Sequence, residues 1–155
     1  MIGFRPMNAE DFRDFLAYFI PDYAADIAAN YGRTKADALA RAKQQTAEDF
    51  PDGVETKGNV LLCILQSNTK KTVGYLWYRT FEKPRTAFIY DFHIFPDQQN
   101  KGLGKQALKL LETELATQGF EKIQLRVAAD NPGAKHVYDV SGFRVTGINM
   151  SKNIS

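Results

Sequence analysis

The sequence predicts a mixed α/β sheet whose elements follow the order β-α-α-β-β-β-α-β-α-β. Three observations support this class. Helical apolar spacing occupies most of the first 50 residues, and three apolar runs separated by short polar turns occupy residues 58 to 95. A glycine pair, Gly102 and Gly104, then begins a helix directly after a strand. The 155 residues contain no repeat, low-complexity tract or linker, so we expect a single domain over 1–155.

The N-terminal third reads as a short strand at 2–5 followed by helices. Asn8 is placed to cap a helix over 9–19, which Pro21 should break. A second helical region at 23–47 is interrupted around 30–32, and Thr34 is placed to cap its continuation. The turn sequence FPDG then ends the helical part at Gly53.

From residue 59 onwards, the spacing of apolar residues changes from a helical to a strand pattern. Runs at 59–66, 71–81 and 86–95 predict an antiparallel meander. A helix at 102–117, a strand at 122–127, a short helix opened by Asn131 and Pro132, and a last strand at 144–150 follow. The unit 86–127 should be a right-handed parallel crossover, with its ligand at the carboxyl end of the first strand.

Composition restricts the partners. A net charge of +2 is too small to indicate nucleic acid, and the apolar stretch at 15–20 is too short to cross a membrane. Cys63 is the single cysteine, inside an apolar run, which is typical of a buried thiol in a reducing compartment. We therefore expect a cytoplasmic protein without nucleic-acid or membrane partners. His93 and His136 lack ligand-type spacing with other candidate ligands, so we expect no metal.

The glycine pair predicts an anion site, because a helix start has unpaired backbone N–H groups and glycine lets a ligand approach them. A P-loop is excluded, since Gln99 and Gln106 stand where it requires Gly and Ser or Thr. The letters GLGKQA do fit a dinucleotide fingerprint. Its context does not, because a long loop separates strand from glycines and Lys122 stands where an acid is expected.

Several motifs in order resemble the GCN5-related N-acetyltransferase (GNAT) superfamily. QNKGLG at 99–104 is similar to its Q/R-x-x-G-x-G/A pyrophosphate loop, and AFIYDFHIFP at 87–96 resembles its fourth strand. NPGAKHVY at 131–138 resembles its N-x-x-A-x-x-x-Y element, and SGF at 141–143 its closing G-F. The resemblance covers the chain, strongly over 87–143 and weakly over 21–58. It implies a GNAT-like sheet in which the fourth and fifth strands splay apart.

The resemblance also implies acetyl transfer from acetyl-CoA to the primary amine of a small molecule, peptide or protein. The backbone of Phe92, His93 and Ile94 would pair with the pantetheine arm, which Asn131 would also contact. The pyrophosphate would be held by the loop and helix start, made of Gln99, Asn100, Lys101, Gly102, Leu103, Gly104 and Lys105. The alternative for the two lysines is that they are solvated side chains of a helix start. The resemblance places the acetyl-CoA-binding core at 87–143.

Two residues are candidates for the chemistry. Tyr138 falls at the family's general-acid position, where a phenol can protonate the CoA sulfur; alternatively it is a packed aromatic. Tyr90 and Arg126 stand where many relatives carry glutamate, so the base is open. Alternation places Asp91 and His93 together on the strand face opposite Tyr90, and either can serve as base. We favour Asp91, with structural roles as the alternative for both.

The acceptor should be set by the region 21–58, whose acids could attract a cationic amine. Basic residues nearly cancel those acids, which favours an ordinary charged surface. The missing glutamates keep open a non-catalytic acyl-CoA-binding or regulatory module. A homodimer is common in the family and is expected here only on that ground.

Overall fold

The computed structural model describes residues 1–128 and 131–154, which build one sheet with strand order β1-β2-β3-β4-β5. Neighbouring strands are antiparallel from β1 to β4, whereas β5 is parallel to β4. The predicted meander and the predicted parallel unit are both confirmed. The strands are β1 (Ile2–Pro6), β2 (Asn59–Gln66), β3 (Thr72–Glu82), β4 (Arg85–Ile94) and β5 (Lys122–Leu125).

Helices cover both faces of this sheet. The side chain of Phe15 on the first helix is fully buried against Cys63, Tyr75 and Trp77 on one face. Leu111 of the third helix packs against the other face. In the described ranges, no helix combines the length and apolar character needed to cross a membrane. The helices are α1 (Ala9–Tyr31), α2 (Lys35–Asp49), α3 (Leu103–Thr117) and α4 (Pro132–Val140), with 3₁₀ turns at Gly53–Glu55 and Pro96–Gln98.

The junction between β1 and α1 is fixed by a capping box. The Asn8 side chain accepts from the Asp11 amide at 2.8 Å, and the Asp11 carboxylate accepts from the Asn8 amide at 2.9 Å. Arg5 of β1 donates to the same carboxylate at 2.6 Å, and this hydrogen bond lowers the pKa of Asp11. These contacts set the direction in which α1 crosses the sheet towards β4.

The predicted break at Pro21 is wrong, because α1 continues through it to Tyr31. A proline inside a helix removes one backbone hydrogen bond and costs about 3 kcal/mol. Burial on both sides of the proline offsets that cost. Phe15 is buried before it, while Ala24 and Ile27 are buried after it against alanines of α2. Gly32, in the left-handed conformation with φ of 63°, ends the helix, and Thr34 caps α2 as predicted.

The predicted last strand at 144–150 is also wrong, since those residues form no regular secondary structure. A strand needs a ladder partner and a face to bury. The preceding strand in the chain, β5, is only four residues long. Val145, Ile148 and Met150 are 54%, 78% and 91% exposed, so no apolar burial stabilises an extended ladder there.

Candidate active site

The candidate site lies where β4 and β5 part. Their pairing ends at Ile89 and Leu125, yet β4 continues to Ile94. The last five residues of β4 therefore do not pair with β5. Strand backbone without a ladder partner exposes N–H and C=O groups that can bind an extended ligand. This opening agrees with the expectation of a splayed parallel pair.

A β-bulge in β4 sets the directions of the side chains at the opening. Trp77 of β3 pairs with Asp91 and the next residue pairs with Ile89, so Tyr90 is the extra residue. A bulge interrupts the alternation of faces. Tyr90 therefore stacks on Trp77 on the α1 side, with ring centroids 5.0 Å apart. The prediction that Tyr90 lies opposite Asp91 is wrong, and the prediction that Asp91 and His93 share a face is confirmed by their common contact with α1.

A cleft of about 360 Å³ opens beside these strand residues. It brings together most of the residues predicted from sequence, whereas Lys101 and Asp91 are outside its lining. Residues that sequence reasoning missed, Gln98, Gly133, Ala134, Val137 and Val140, also line it; the first is a buried polar side chain in the predicted loop. The predicted residues in the lining are Phe92, His93, Ile94, Gln99, Asn100, Gly102, Leu103, Gly104, Lys105, Asn131 and Tyr138.

The start of α3 forms one end of the cleft. Gly102 is the N-cap in the left-handed conformation, with φ of 75°, and among the residues that the structure describes no side chain caps this helix. The first intrahelical bond runs from the Gln106 amide to the Gly102 carbonyl. Asn100 also has a positive φ, of 63°, and Gln99 donates to the Ile94 carbonyl at 2.9 Å. The loop is thus tied to β4 while the first turn of α3 keeps its amides for an anion.

Gly104 is the second glycine at the start of α3, where the sequence predicts that a side chain would occupy the approach of the anion; for a side chain longer than alanine this stays a prediction. A Cβ built there points towards β4, at 3.7 Å from the Phe92 ring and 3.8 Å from Ile94. These are ordinary van der Waals distances, so alanine fits. Gly104 also allows α3 to pack closely on β4. Gly102 is the glycine that the backbone conformation requires.

On its other edge, the backbone of β4 lies very close to Gly74 of β3. A Cβ at Gly74 of β3 would lie 2.1 Å from the His93 carbonyl oxygen and 3.2 Å from the Ile94 Cα. Only glycine therefore permits the observed spacing of β3 and β4 beside the cleft. Sequence reasoning missed this residue, because a glycine inside a strand pattern indicates only that some backbone comes close.

Tyr138 projects from α4 towards β4. Its ring packs near Phe92, at a centroid distance of 6.3 Å, and near Phe143, at 5.7 Å. Burial raises the pKa of Tyr138 to about 12, and the charge of Asp91 contributes in the same direction. The phenol therefore keeps its proton at neutral pH. Asn131 caps α4 by accepting from the Ala134 amide at 3.1 Å, so its side-chain NH₂ is the group it offers to a ligand.

Asp91 carries a carboxylate with unequal oxygens. Its Oδ1 accepts a hydrogen bond from the Tyr18 hydroxyl at 3.1 Å, while its Oδ2 is buried without a hydrogen-bond partner among the described residues. Burial raises the pKa of Asp91 to about 7; the Tyr18 hydrogen bond opposes that rise and the charge of Asp22 adds to it. A buried carboxyl group that titrates near neutrality on the strand beside the cleft has the properties of a general base.

His93 is placed beside Asp91 but is differently engaged. Its ring stacks on Tyr18 with centroids 3.9 Å apart and an interplanar angle of 12°. Burial lowers the pKa of His93, so the ring is neutral at pH 7. Across residues 1–128 and 131–154, no three His, Cys, Asp or Glu side chains gather as a metal site would require.

Comparison with known proteins decides the family. The family described as Acetyltransferase (GNAT) family matches residues 23–143. The chain belongs to the GNAT acetyltransferases. The GNAT assignment makes the protein an acyltransferase enzyme, and it accounts for the splayed strands and the glycine-opened helix.

The similar proteins agree with this GNAT assignment. YycN of Bacillus subtilis (strain 168), described as an uncharacterized N-acetyltransferase, is 36% identical over 151 residues, 96% of each chain. Its crystal structure superposes with a TM-score of 0.92 at 33% identity, covering 100% of this chain and 99% of the other.

More distant GNAT relatives carry more specific names. A mycothiol acetyltransferase of Kytococcus sedentarius is 28% identical over 122 residues, which are 79% of this chain and 38% of that protein. An aminoglycoside acetyltransferase from an uncultured soil metagenomic sample shares the fold, with a TM-score of 0.62 at 16% identity, covering 99% of this chain and 97% of the other.

Proposed function

We propose that this GNAT enzyme transfers the acetyl group of acetyl-CoA directly to a primary amine of a small molecule, peptide or protein. The observation that carries the proposal is the placement of two complementary groups about β4. Asp91 titrates near neutrality on the α1 side, and Tyr138 stays protonated beside the cleft. The two groups are electrostatically linked, since the charge of Asp91 raises the pKa of Tyr138.

The cleft fits acetyl-CoA by its donors and its shape. The first turn of α3 offers amides without a side-chain cap to the pyrophosphate, and the Gly102 conformation holds the loop open to it. The backbone of Phe92, His93 and Ile94 offers the pantetheine an unpaired strand edge. The Asn131 NH₂ faces the same cleft. When bound, acetyl-CoA supplies an acetyl group activated as a thioester.

Asp91 acts in this proposal as the general base. The acceptor arrives as an ammonium ion, which has no lone pair for attack. Asp91 Oδ2 takes a proton from it, directly or through a water, and burial of the carboxylate makes it basic enough to do so at neutral pH. His93 is the less suitable base, since its lowered pKa weakens it and Tyr18 covers one face of its ring.

The neutral amine forms a C–N bond to the thioester carbonyl carbon as the C–S bond breaks, and Tyr138 acts as the general acid that protonates the departing thiolate. The second proton lost by the amine nitrogen returns to the Tyr138 phenolate, directly or through a water. The raised pKa of Tyr138 keeps the phenol protonated until the thiolate needs the proton. Its contacts with Phe92 and Phe143 hold the ring in place, so the packing role and the chemical role of Tyr138 are compatible. Backbone N–H groups of β4 near Phe92 polarise the thioester carbonyl.

The acceptor enters from the side of α1 and α2, because Asp91 faces α1. The relative named mycothiol acetyltransferase supports including small molecules among the acceptors to test. The side chain of Asp22, whose pKa is raised by burial, adds negative potential next to Asp91. This supports a cationic amine as the acceptor.

The experiment measures thiol release from acetyl-CoA with a panel of primary amines: amino acids, peptides, polyamines, amino sugars and aminoglycosides. Product mass identifies the acetylated amine, and a thermal shift with CoA alone measures cofactor binding. Acceptor-dependent thiol release that is lost in Tyr138→Phe supports the proposal. A thermal shift with CoA and no acceptor-dependent release from any amine class overturns it in favour of a non-catalytic acyl-CoA-binding module.

A further inference from the structure

The side chain of Tyr18 contacts both candidate bases on β4. It lies on α1, 73 residues before Asp91 in sequence, and its hydroxyl donates to Asp91 Oδ1 at 3.1 Å. The same ring stacks against His93 at 3.9 Å. Phe15, one turn earlier on α1, is fully buried, and its ring centroid is 6.3 Å from that of Tyr18. The Tyr18 hydroxyl is therefore held by the core of the protein rather than by a mobile loop.

The two oxygens of the Asp91 carboxylate have different surroundings. Oδ1 is occupied by Tyr18, whereas Oδ2 is buried and has no hydrogen-bond partner within the described ranges. A buried carboxylate oxygen without a donor is costly, and such sites persist where a ligand supplies the donor. An ammonium group has the charge and the N–H donors to fill this position.

We infer that Tyr18 is a positioning residue for acetyl transfer: its hydroxyl fixes one oxygen of Asp91 so that the other receives the acceptor's ammonium proton. This inference rests on the proposed function. The phenol is suited to the task because burial raises the pKa of Tyr18, and the charges of Asp91 and Asp22 reinforce that rise. It remains a donor throughout the pH range in which Asp91 titrates.

The sign of the Tyr18 effect is defined. A hydrogen bond donated to a carboxylate stabilises the charged form, so the Tyr18 hydroxyl lowers the pKa of Asp91 against the dominant effect of burial. Removing that hydroxyl should raise the pKa of Asp91 by about one pH unit, given the usual strength of a hydrogen bond to a charged group. The other titratable groups about Asp91 stay unchanged in such a variant; they are Asp22 on α1, Tyr75 on β3, His93 on β4 and Tyr138 on α4.

The test is Tyr18→Phe, which keeps the ring that stacks on His93. Tyr75→Phe is the matched control, because Tyr75 packs near Tyr18 with centroids 6.1 Å apart yet makes no hydrogen bond to Asp91. A ¹³C carboxyl NMR titration, assigned with Asp91→Asn, reports the pKa of Asp91 without any acceptor. The pH dependence of kcat/KM for acetyl transfer reports the same group in catalysis.

We expect both the NMR midpoint and the acidic limb of kcat/KM to rise by about one pH unit in Tyr18→Phe and not in Tyr75→Phe. An unchanged NMR midpoint overturns the contact between Tyr18 and Asp91. A raised midpoint with an unmoved acidic limb overturns the positioning role while leaving acetyl transfer intact. Absence of acceptor-dependent thiol release from the wild type refutes the proposed function itself, and the positioning role with it.

Discussion

Replacing Asp91 by asparagine should stabilise the protein while it removes the proposed base. The buried carboxyl titrates at about 7 in the fold, whereas an aspartate in an unfolded chain titrates at about 3.9. The folded state therefore binds more protons than the unfolded state between these values. Stability contributed by this site is fully present below pH 4, falls as the pH rises towards 7, and is constant above it. Asparagine has no such dependence and still offers an oxygen to Tyr18.

The magnitude follows from the two pKa values of Asp91. One pH unit of difference corresponds to about 1.4 kcal/mol, and the loss extends over the two units from pH 5 to pH 7, so the wild type loses about 3 kcal/mol more than the variant between pH 5 and pH 8. The assay is urea unfolding of wild type and Asp91→Asn at both pH values, followed by circular dichroism. Comparing the two pH values cancels any constant cost of inserting the amide. Asp91→Asn should therefore gain about 3 kcal/mol relative to wild type on going from pH 5 to pH 8.

Asp11→Asn is the matched control, with the opposite sign. The Arg5 hydrogen bond lowers the pKa of Asp11, so its stabilisation is present above its unfolded pKa and is lost only at more acidic pH. Loss of the ion pair and half of the capping box should cost about 1 kcal/mol equally at pH 5 and pH 8. A stability difference between Asp91→Asn and wild type that is the same at both pH values would refute the reasoning about the buried carboxyl.

Four further substitutions test the cleft. Gly74→Ala places a Cβ 2.1 Å from the His93 carbonyl oxygen, so we expect a loss of about 1–3 kcal/mol in unfolding free energy and weaker CoA binding by calorimetry; wild-type values would contradict the close approach. Gly102→Ala forces a left-handed alanine and should weaken CoA at least tenfold, whereas Gly104→Ala fits and should stay within about threefold; the reverse order would contradict the geometry. Tyr138→Phe should lower kcat by about 10²–10⁴-fold at unchanged melting temperature, and a loss below about threefold would exclude the acid role.

The order of elements was predictable from β1 to α4 because local chemistry marks each boundary. Asn8 and Thr34 cap the helices they were expected to cap, and short polar turns separate the strands of the meander. Gly102 was recognisable because a glycine at a strand-to-helix joint is demanded by backbone conformation rather than by distant contacts. The parallel pairing of β4 with β5 follows from the helix between them.

The failures have a common physical origin in distant contacts. Pro21 is tolerated because α2 buries the residues that follow it, which no local rule reveals. The bulge at Tyr90 places its ring on the face opposite to the one that alternation predicts. The bulge depends on the pairing of β4 with β3, which local sequence does not reveal. Tyr18 stood in the sequence only as part of an apolar stretch. Its importance arises from a contact across 73 residues, and the aspartate that it contacts gains its basicity from burial.

The pH dependence of acetyl transfer by wild type and Asp91→Asn tests the central claim most directly. The acceptor should be one whose own amine titrates near pH 10, well separated from Asp91. We predict that wild-type kcat/KM rises with pH through a midpoint at about 7, because Asp91 must be ionised to accept the proton. Asp91→Asn should lose that limb and about 10²–10⁴-fold in rate. A limb with the same midpoint in Asp91→Asn, at a rate within about threefold of wild type, would contradict the assignment of Asp91 as the base.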